Sequence, residues 1–375
     1  MSIMRVFIKT PCRLHFSLID LNGSLNRVDG GVGLTLEKPN FTIEVLDRES
    51  LTSRGVSENA WNLLPDNQKI LETSLGRVVF SVECSDHPNI DDVLNVVIEL
   101  TQSFIHKLVD MFSLTKSEKF PLKITIWDFL YAHMGLGSKT QMALAIATSI
   151  IKILEIDMKI DIETLTHMVG RGGTSGIGFR SFENGGFILD CGHRFGKDEE
   201  KQSFLPSSAS NAKPARTILR YEFPEDWFVL VVILNVPAGA SNVEEVNIFQ
   251  KHCPIPVEEV QQVSHHILMQ MLPGIIEKDI TTFGNSINSI RKIGFKKIEV
   301  SLQHEKVKEL IQYLENRSKC AGMSSFGPTV FSIFESEEDA KKVLEEITQN
   351  YSSIGFTSYI TNANNHGAHM ETTPQ

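Results

Sequence analysis

The chain has 375 residues, of which 41 % are hydrophobic and 22 % charged, with a formal net charge of -10. That length suggests about two domains of ordinary size, and the composition is that of a globular protein. An acidic balance without a sustained basic run excludes nucleic acid as a partner, because phosphate-backbone binding needs clustered Lys and Arg; a local basic pocket for a small anion stays open. The five cysteines (Cys12, Cys84, Cys191, Cys253 and Cys320) are far apart and never form C-x-x-C. This argues against a disulfide framework or a zinc site, and for reduced thiols in a cytoplasmic protein. The start, Met1 to Val6, lacks the charged-then-apolar design of a signal peptide. The apolar runs Trp227 to Leu234 and Met142 to Leu154 are too short or too interrupted to span a membrane.

In chain order, Arg5 to Leu18 alternates and is rich in β-formers, then meets turn signals at Asp20 to Ser24 and Asp29 to Gly31. Val32 to Glu37, Phe41 to Leu46 and Arg77 to Cys84 read as further strands. Asp91 to Phe112 is helical, since Val93, Val96, Val97, Leu100, Phe104, Ile105 and Leu108 recur at helical spacing. A strand over Leu122 to Phe129 precedes a glycine loop and a helix from Lys139 to Leu154. Asp161 N-caps a short helix reaching Val169, which leads into a second glycine cluster and a strand ending at Asp190. Gly196 to Arg216 reads as a polar surface excursion or domain junction. Beyond it come a strongly apolar strand (Trp227 to Val236) and helices over Val257 to Leu272, Gly274 to Ile290 and Gln303 to Asn316. A strand over Thr329 to Phe334, a helix over Glu337 to Gln349 and a strand over Gly355 to Thr361 follow. The tail, Asn362 to Gln375, is expected to fray. This mixture of elements in both halves points to an α+β fold, with an N-terminal domain over 1–220 and a C-terminal one over 221–375.

The chemistry sits in three loops and a hairpin. In His133-Met134-Gly135-Leu136-Gly137-Ser138-Lys139-Thr140, glycines let backbone N–H groups approach an anion at a helix start, Ser138 and Thr140 offer hydroxyls, and Lys139 a full charge. It is not a Walker A loop, which needs Gly directly before Lys, where Ser138 stands. The plain alternative is a tight strand-to-helix turn. The second cluster, Gly170 to Gly178, holds five glycines in nine residues together with Arg171, Thr174 and Ser175; its plain alternative is a flexible turn. The third loop, Ala321 to Thr329, carries Ser324 and Ser325 and on its own reads as a turn. In the front hairpin, Arg13 and His15 share one strand face, with Asp20, Arg27 and Asp29 around the turn.

Together these segments resemble the GHMP kinase superfamily: Pro11-Cys12-Arg13-Leu14-His15, the Gly135-to-Ser138 loop, Ser175-Gly176-Ile177 with Gly185-Gly186, and Gly322 to Gly327. The resemblance covers nearly the whole chain. It implies a ribosomal-protein-S5-like α+β domain followed by a ferredoxin-like one, with phosphates bound between them. Kinases of the mevalonate group typically carry Ser-Gly-x-Asp in the second loop, and that Asp helps activate the acceptor hydroxyl; here the position is Gly178. The finer strings Arg13 to Ser24, Arg27 to Gly31, Gly170 to Gly178, Phe204-Leu205-Pro206-Ser207-Ser208-Ala209-Ser210 and Ser324 to Thr329 are similar to the β-ribofuranosylaminobenzene 5′-phosphate synthase family. That resemblance implies a cytoplasmic, archaeal, homodimeric, Mg2+-dependent enzyme of tetrahydromethanopterin biosynthesis. Such an enzyme joins phosphoribosyl pyrophosphate to 4-aminobenzoate or 4-hydroxybenzoate, releasing CO2 and pyrophosphate.

The departure at Gly178 suits that chemistry. A kinase must ease a proton off its nucleophilic hydroxyl; in C-ribosylation a ring carbon attacks, so the main demands are charge stabilisation on the leaving pyrophosphate and positioning. On this reading Gly135, Gly137, Ser138, Lys139 and Thr140 hold pyrophosphate. Asp20 and Asp29 ligate Mg2+ or bind ribose hydroxyls. Arg27 or Arg171 pairs with the 5′-phosphate or the aromatic carboxylate. Thr174, Ser175, Ser324 and Ser325 complete the substrate site, and His15 joins Lys139, Asp20 and Arg27 as a candidate catalytic residue. The competing readings are an ATP-dependent small-molecule kinase and a non-catalytic module of the same fold.

Overall fold

The computed structural model describes residues 3–53, 67–84, 90–117, 119–129, 133–156, 160–207, 209–237 and 243–374; Ser208 lies outside them. A long hairpin founds the first half: β1 (Ile3–Asp20) pairs antiparallel with β2 (Arg27–Leu46) along nearly its whole length. The two expected strands at Val32 and Phe41 are thus one, bent where its register with β1 shifts between Thr10 and Cys12. After α1 (Arg48–Ser53) come β3 (Gln68–Glu72), β4 (Arg77–Val82), α2 (Ile90–Phe112) and β5 (Leu122–Asp128). They extend the sheet in the order β1-β2-β5-β4-β3. α2 buries Val93, Leu94, Val97, Phe104, Ile105 and Leu108, the stripe that helical spacing predicts.

Next stand α3 (Ser138–Ile153), α4 (Ile162–Met168) with Asp161 accepting from the Thr164 amide, and α5 (Ile177–Glu183). The last is unexpected from the sequence, whose glycines mask its start. β6 (Phe187–Asp190) pairs with β2 and with β8 (Thr217–Tyr221), and the short β7 (His193–Arg194) with the start of β2.

The second half carries β9 (Phe228–Leu234), α6 (Val243–His252), α7 (Val257–His266), α8 (Leu272–Ile276), α9 (Ile280–Ile290), α10 (Gly294–Ser301) and α11 (Glu305–Glu315). A widened helical stretch, Ile267–Met271, joins α7 to α8, and the Leu272 amide reaches back to the Ile267 carbonyl. Then come β10 (Ala321–Met323), β11 (Thr329–Phe334), α12 (Glu337–Tyr351) and β12 (Phe356–Thr361). The sheet order β10-β11-β9-β12, all antiparallel, is the ferredoxin-like arrangement. β9 shows why it is a strand. Val229 and Val231 join the core shared with the first sheet, while Leu230, Val232 and Leu234 face α11 and α12. Phe16 of β1 packs on Phe331 and Phe283, so one apolar core crosses between the halves.

The tail does not fray. Asn364 donates to the Thr35 carbonyl, and β13 (His369–Pro374) adds an edge strand to β1. The expected boundary at 220/221 therefore assigns to the second half a segment that returns to the first sheet. The reason is polar satisfaction. The buried Asn365 side chain accepts from the Phe223 amide at 2.9 Å and donates to its carbonyl at 3.0 Å. No described helix is long and apolar enough to cross a membrane, and Cys12, Cys191, Cys253 and Cys320 are free thiols. Replacing Asn365 by Ala strands two buried backbone groups and is expected to cost about 1–3 kcal/mol in denaturant unfolding; an unchanged midpoint would show that the tail is not anchored this way.

Candidate functional site

The three loops meet because β1 runs between them. Gly135 has φ +80°, and a Cβ there would stand 2.2 Å from the Ser324 carbonyl oxygen, so only glycine fits. The Ser324 hydroxyl donates to the Gly135 carbonyl at 2.6 Å and accepts from the His15 amide at 2.9 Å. Arg13 donates both its guanidinium to the Gly135 carbonyl and its amide to the Leu136 carbonyl. Ser324 is thus a buried strut beneath the site.

Around this junction opens a cleft of about 980 Å³, counting its mouth. Of the residues expected at the substrate, it is lined by Gly135, Gly137, Ser138, Lys139, Arg171, Thr174, Ser175, Ser325 and His15. Thr140 lies just behind and accepts from Arg171 Nε at 3.1 Å. The start of α3 has no side-chain cap, which leaves its dipole and amides facing the cleft. Arg13, Lys139 and Arg171 add charge to one wall. Burial lowers the proton affinity of all three; for Arg13 and Lys139 the Arg171 charge adds to it, and Arg13 falls to about 10. Apolar side chains share the lining: Leu18, Phe249 and Phe326 belong to one cluster, and Pro206 joins them in lining the cleft.

His15 is buried, and burial together with Arg13 and Lys296 pushes it well below its usual range, so it is neutral. Its Nδ1 has no hydrogen-bond partner. Glu299 is clasped by Lys296 on the same helix. Glu245, on α6, is half-buried; burial pushes its carboxyl up to about 7 against the pull of Arg171. Sequence reasoning missed Glu245, Lys296 and Glu299, because they lie on helices α6 and α10, which lack a clear apolar period.

Three expected residues stand elsewhere. Asp20 accepts from the amides of Asn22 and Gly23, shaping the β1–β2 turn. Arg27 binds the carbonyls of Cys191 and Gly192 in a separate surface cavity. Asp29 is buried with both oxygens taken: Lys201 Nζ approaches at 3.1 and 2.9 Å and His193 Nδ1 at 2.7 Å. It therefore supports the fold, and a cation there would have to displace an ammonium. Lys201 is also a correction to the surface excursion expected over Gly196 to Arg216. It is buried and donates to the Leu205 carbonyl at 2.9 Å, next to Pro206 and Ser207 of the cleft wall.

Gly178 faces Thr140: a Cβ there would come 3.3 Å from the Thr140 methyl. A carboxylate at this position would stand beside the phosphate loop, in the patch that Arg171 occupies through its bond to Thr140.

Lys201→Met leaves Asp29 buried beside His193 alone and is expected to cost about 3–5 kcal/mol of stability. Adding Asp29→Asn should return about 1 kcal/mol or more relative to the sum of the single changes. Strict additivity in denaturant unfolding would contradict the pairing.

The family model "GHMP kinases C terminal" matches residues 271–353. The fold is similar to that of the mevalonate kinase of Methanococcus jannaschii, with a TM-score of 0.61 at 14 % identity, covering 97 % of this chain and 99 % of that one. It is similar also to L. major mevalonate kinase, with a TM-score of 0.62 at 12 % identity and 95 % coverage of each chain. Among curated relatives, the β-ribofuranosylphenol 5′-phosphate synthase of Methanocaldococcus jannaschii is 39 % identical over 96 % of this chain and 99 % of its own length. The synthase of the same name from Archaeoglobus fulgidus is 36 % identical over 97 % and 99 %. At that identity over nearly the full length of both chains, this protein belongs to the β-ribofuranosylphenol 5′-phosphate synthase family, a branch of the GHMP fold.

Proposed function

We propose that the chain is a decarboxylating pentosyltransferase. It joins phosphoribosyl pyrophosphate to 4-hydroxybenzoate and releases CO2 and pyrophosphate, as a cytoplasmic step of tetrahydromethanopterin synthesis in an archaeon. One observation carries the reading: the cleft combines cations around an uncapped helix start with apolar and aromatic side chains, with glycine where the resemblance places the kinases' carboxylate. The name of the relatives supports the hydroxylated acceptor, since a phenol product keeps the para oxygen of 4-hydroxybenzoate. The ATP-dependent kinase reading is disfavoured by Gly178.

On this reading Ser138, Lys139 and the first amides of α3 hold pyrophosphate, and Lys139 and Arg171 take up the charge that develops as the C1–O bond breaks. Phe249 and Phe326 hold the acceptor ring. The acceptor carboxylate meets this apolar wall, which favours its loss as neutral CO2 over its retention as an anion. Ser324 and Arg13 fix the loop so that the sugar carbon and the ring carbon are aligned.

Among the described residues no group of three or more His, Cys, Asp or Glu converges, so an all-protein metal cage is absent. Mg2+ commonly binds through substrate phosphates with few protein ligands, and the Ser138 hydroxyl at the loop fits that use. When bound there, Mg2+ would supply charge neutralisation of the pyrophosphate. The homodimer implied by the resemblance is part of the proposal; sedimentation at about twice 42.0 kDa would support it, and at 42.0 kDa would refute it.

Lys139→Ala should lower kcat/KM for phosphoribosyl pyrophosphate by about 10²–10³, measured by pyrophosphate release. Asp20→Ala, at a residue that does not line the cleft, should change it by less than about tenfold. Unchanged turnover in Lys139→Ala would overturn the assignment of the loop.

A further inference from the structure

Glu245 has no role in the chemistry described so far. It is the one carboxylate among the described cleft-lining residues without a hydrogen-bond or ion-pair partner; Glu299, the other, is held by Lys296. It stands one helical turn before Phe249 on α6, so the two side chains share a face and both line the cleft. The charges acting on it are Arg171, Lys139 and Arg13, which attract, and Glu299, which repels. Glu245 thus shares the cleft with these three cations and its helical face with the aromatic Phe249.

Resting on the C-ribosylation reading above, we propose that Glu245 is the general base for the acceptor's para hydroxyl. That hydroxyl is not the nucleophile, but it feeds electrons to the ring carbon that is. As the C1–O bond of the sugar breaks, its electron pair leaves on pyrophosphate. The ring carbon bearing the carboxylate forms the new C–C bond, and the hydroxyl proton passes to Glu245, leaving a ring ketone and not an oxonium. The C–CO2 bond then breaks, its electron pair restores the aromatic ring, and Glu245 returns the proton to the phenolate oxygen. One proton leaves and comes back, so the sum is acceptor plus phosphoribosyl pyrophosphate giving product, CO2 and pyrophosphate. A carboxylate that is ionised just above neutrality is matched to such a shuttle.

The test compares wild type, Glu245→Gln and Glu245→Asp. Each is given phosphoribosyl pyrophosphate, Mg2+ and carboxyl-labelled 4-hydroxybenzoate or 4-aminobenzoate, whose nitrogen donates electrons without first losing a proton. On 4-hydroxybenzoate the Gln variant should lose about 10²–10⁴ in kcat, and Asp should recover part of it. KM for phosphoribosyl pyrophosphate should stay within about twofold. In wild type kcat/KM should fall as pH drops through about 7, where Glu245 takes up its proton, and the Gln variant should lack that limb. On 4-aminobenzoate the Gln variant should lose no more than about tenfold. Equal losses on both acceptors, a loss relieved by excess Mg2+, or unchanged kcat would overturn the base. Wild type that releases no labelled CO2 from either acceptor would instead overturn C-ribosylation itself.

Discussion

The hydroxyl of Ser324 ties together three segments that are far apart in the chain. It accepts from the amide of His15 on β1 and donates to the carbonyl of Gly135 in the first glycine loop, while its own loop leads into β11 of the second sheet. The contact is so close that position 135 tolerates no side chain. Everything chemical in the molecule follows from this closure. It brings the start of α3 and Arg13 together in the cleft, which Leu18, Phe249 and Phe326 also line. A buried hydroxyl with both bonds made adds little net free energy, and its value is geometric, because leaving its partners unpaired is costly.

The solved structures that share this fold include two mevalonate kinases. What distinguishes this chain is local. Where the resemblance places a carboxylate in kinases, Gly178 leaves Thr140 to the Arg171 guanidinium. Arg171 beside Thr140, with no carboxylate at Gly178, makes this patch positive, which suits an anionic ligand and disfavours drawing a proton from a nucleophilic hydroxyl. Among the described cleft-lining residues, the acid without a hydrogen-bond or ion-pair partner, Glu245, lies on the other half, on the same helical face as Phe249.

Much of this was legible in the sequence, for identifiable reasons. β1, α2, α3 and the strongly apolar β9 follow from periods that burial on one or both faces imposes. The glycine loops were legible because close backbone approach leaves a compositional trace. That Asp20, Arg27 and Asp29 stand outside the cleft lining is not legible, because a dense polar hairpin looks the same whether its charges face a ligand or one another. The partners of Asp29, Lys201 and His193, lie more than 160 residues away, and sequence spacing carries no sign of such a pairing. Glu245 was invisible for the opposite reason: a single acid on a polar helix has no pattern until the fold points it into a cleft. The tail reads as frayed because its polarity hides Asn365, whose side-chain amide makes one hydrogen bond to the Phe223 amide and one to its carbonyl.

The central claim is that carbon–carbon bond formation, and not phosphoryl transfer, is the reaction of this cleft. Its most direct measurement is the stoichiometry of gases and phosphates released by the purified chain. Given phosphoribosyl pyrophosphate, Mg2+ and carboxyl-labelled 4-hydroxybenzoate, with ATP also present, the account predicts labelled CO2 and pyrophosphate in equal amounts and no ADP. Pyrophosphate without CO2, or ADP formed from ATP, would contradict it.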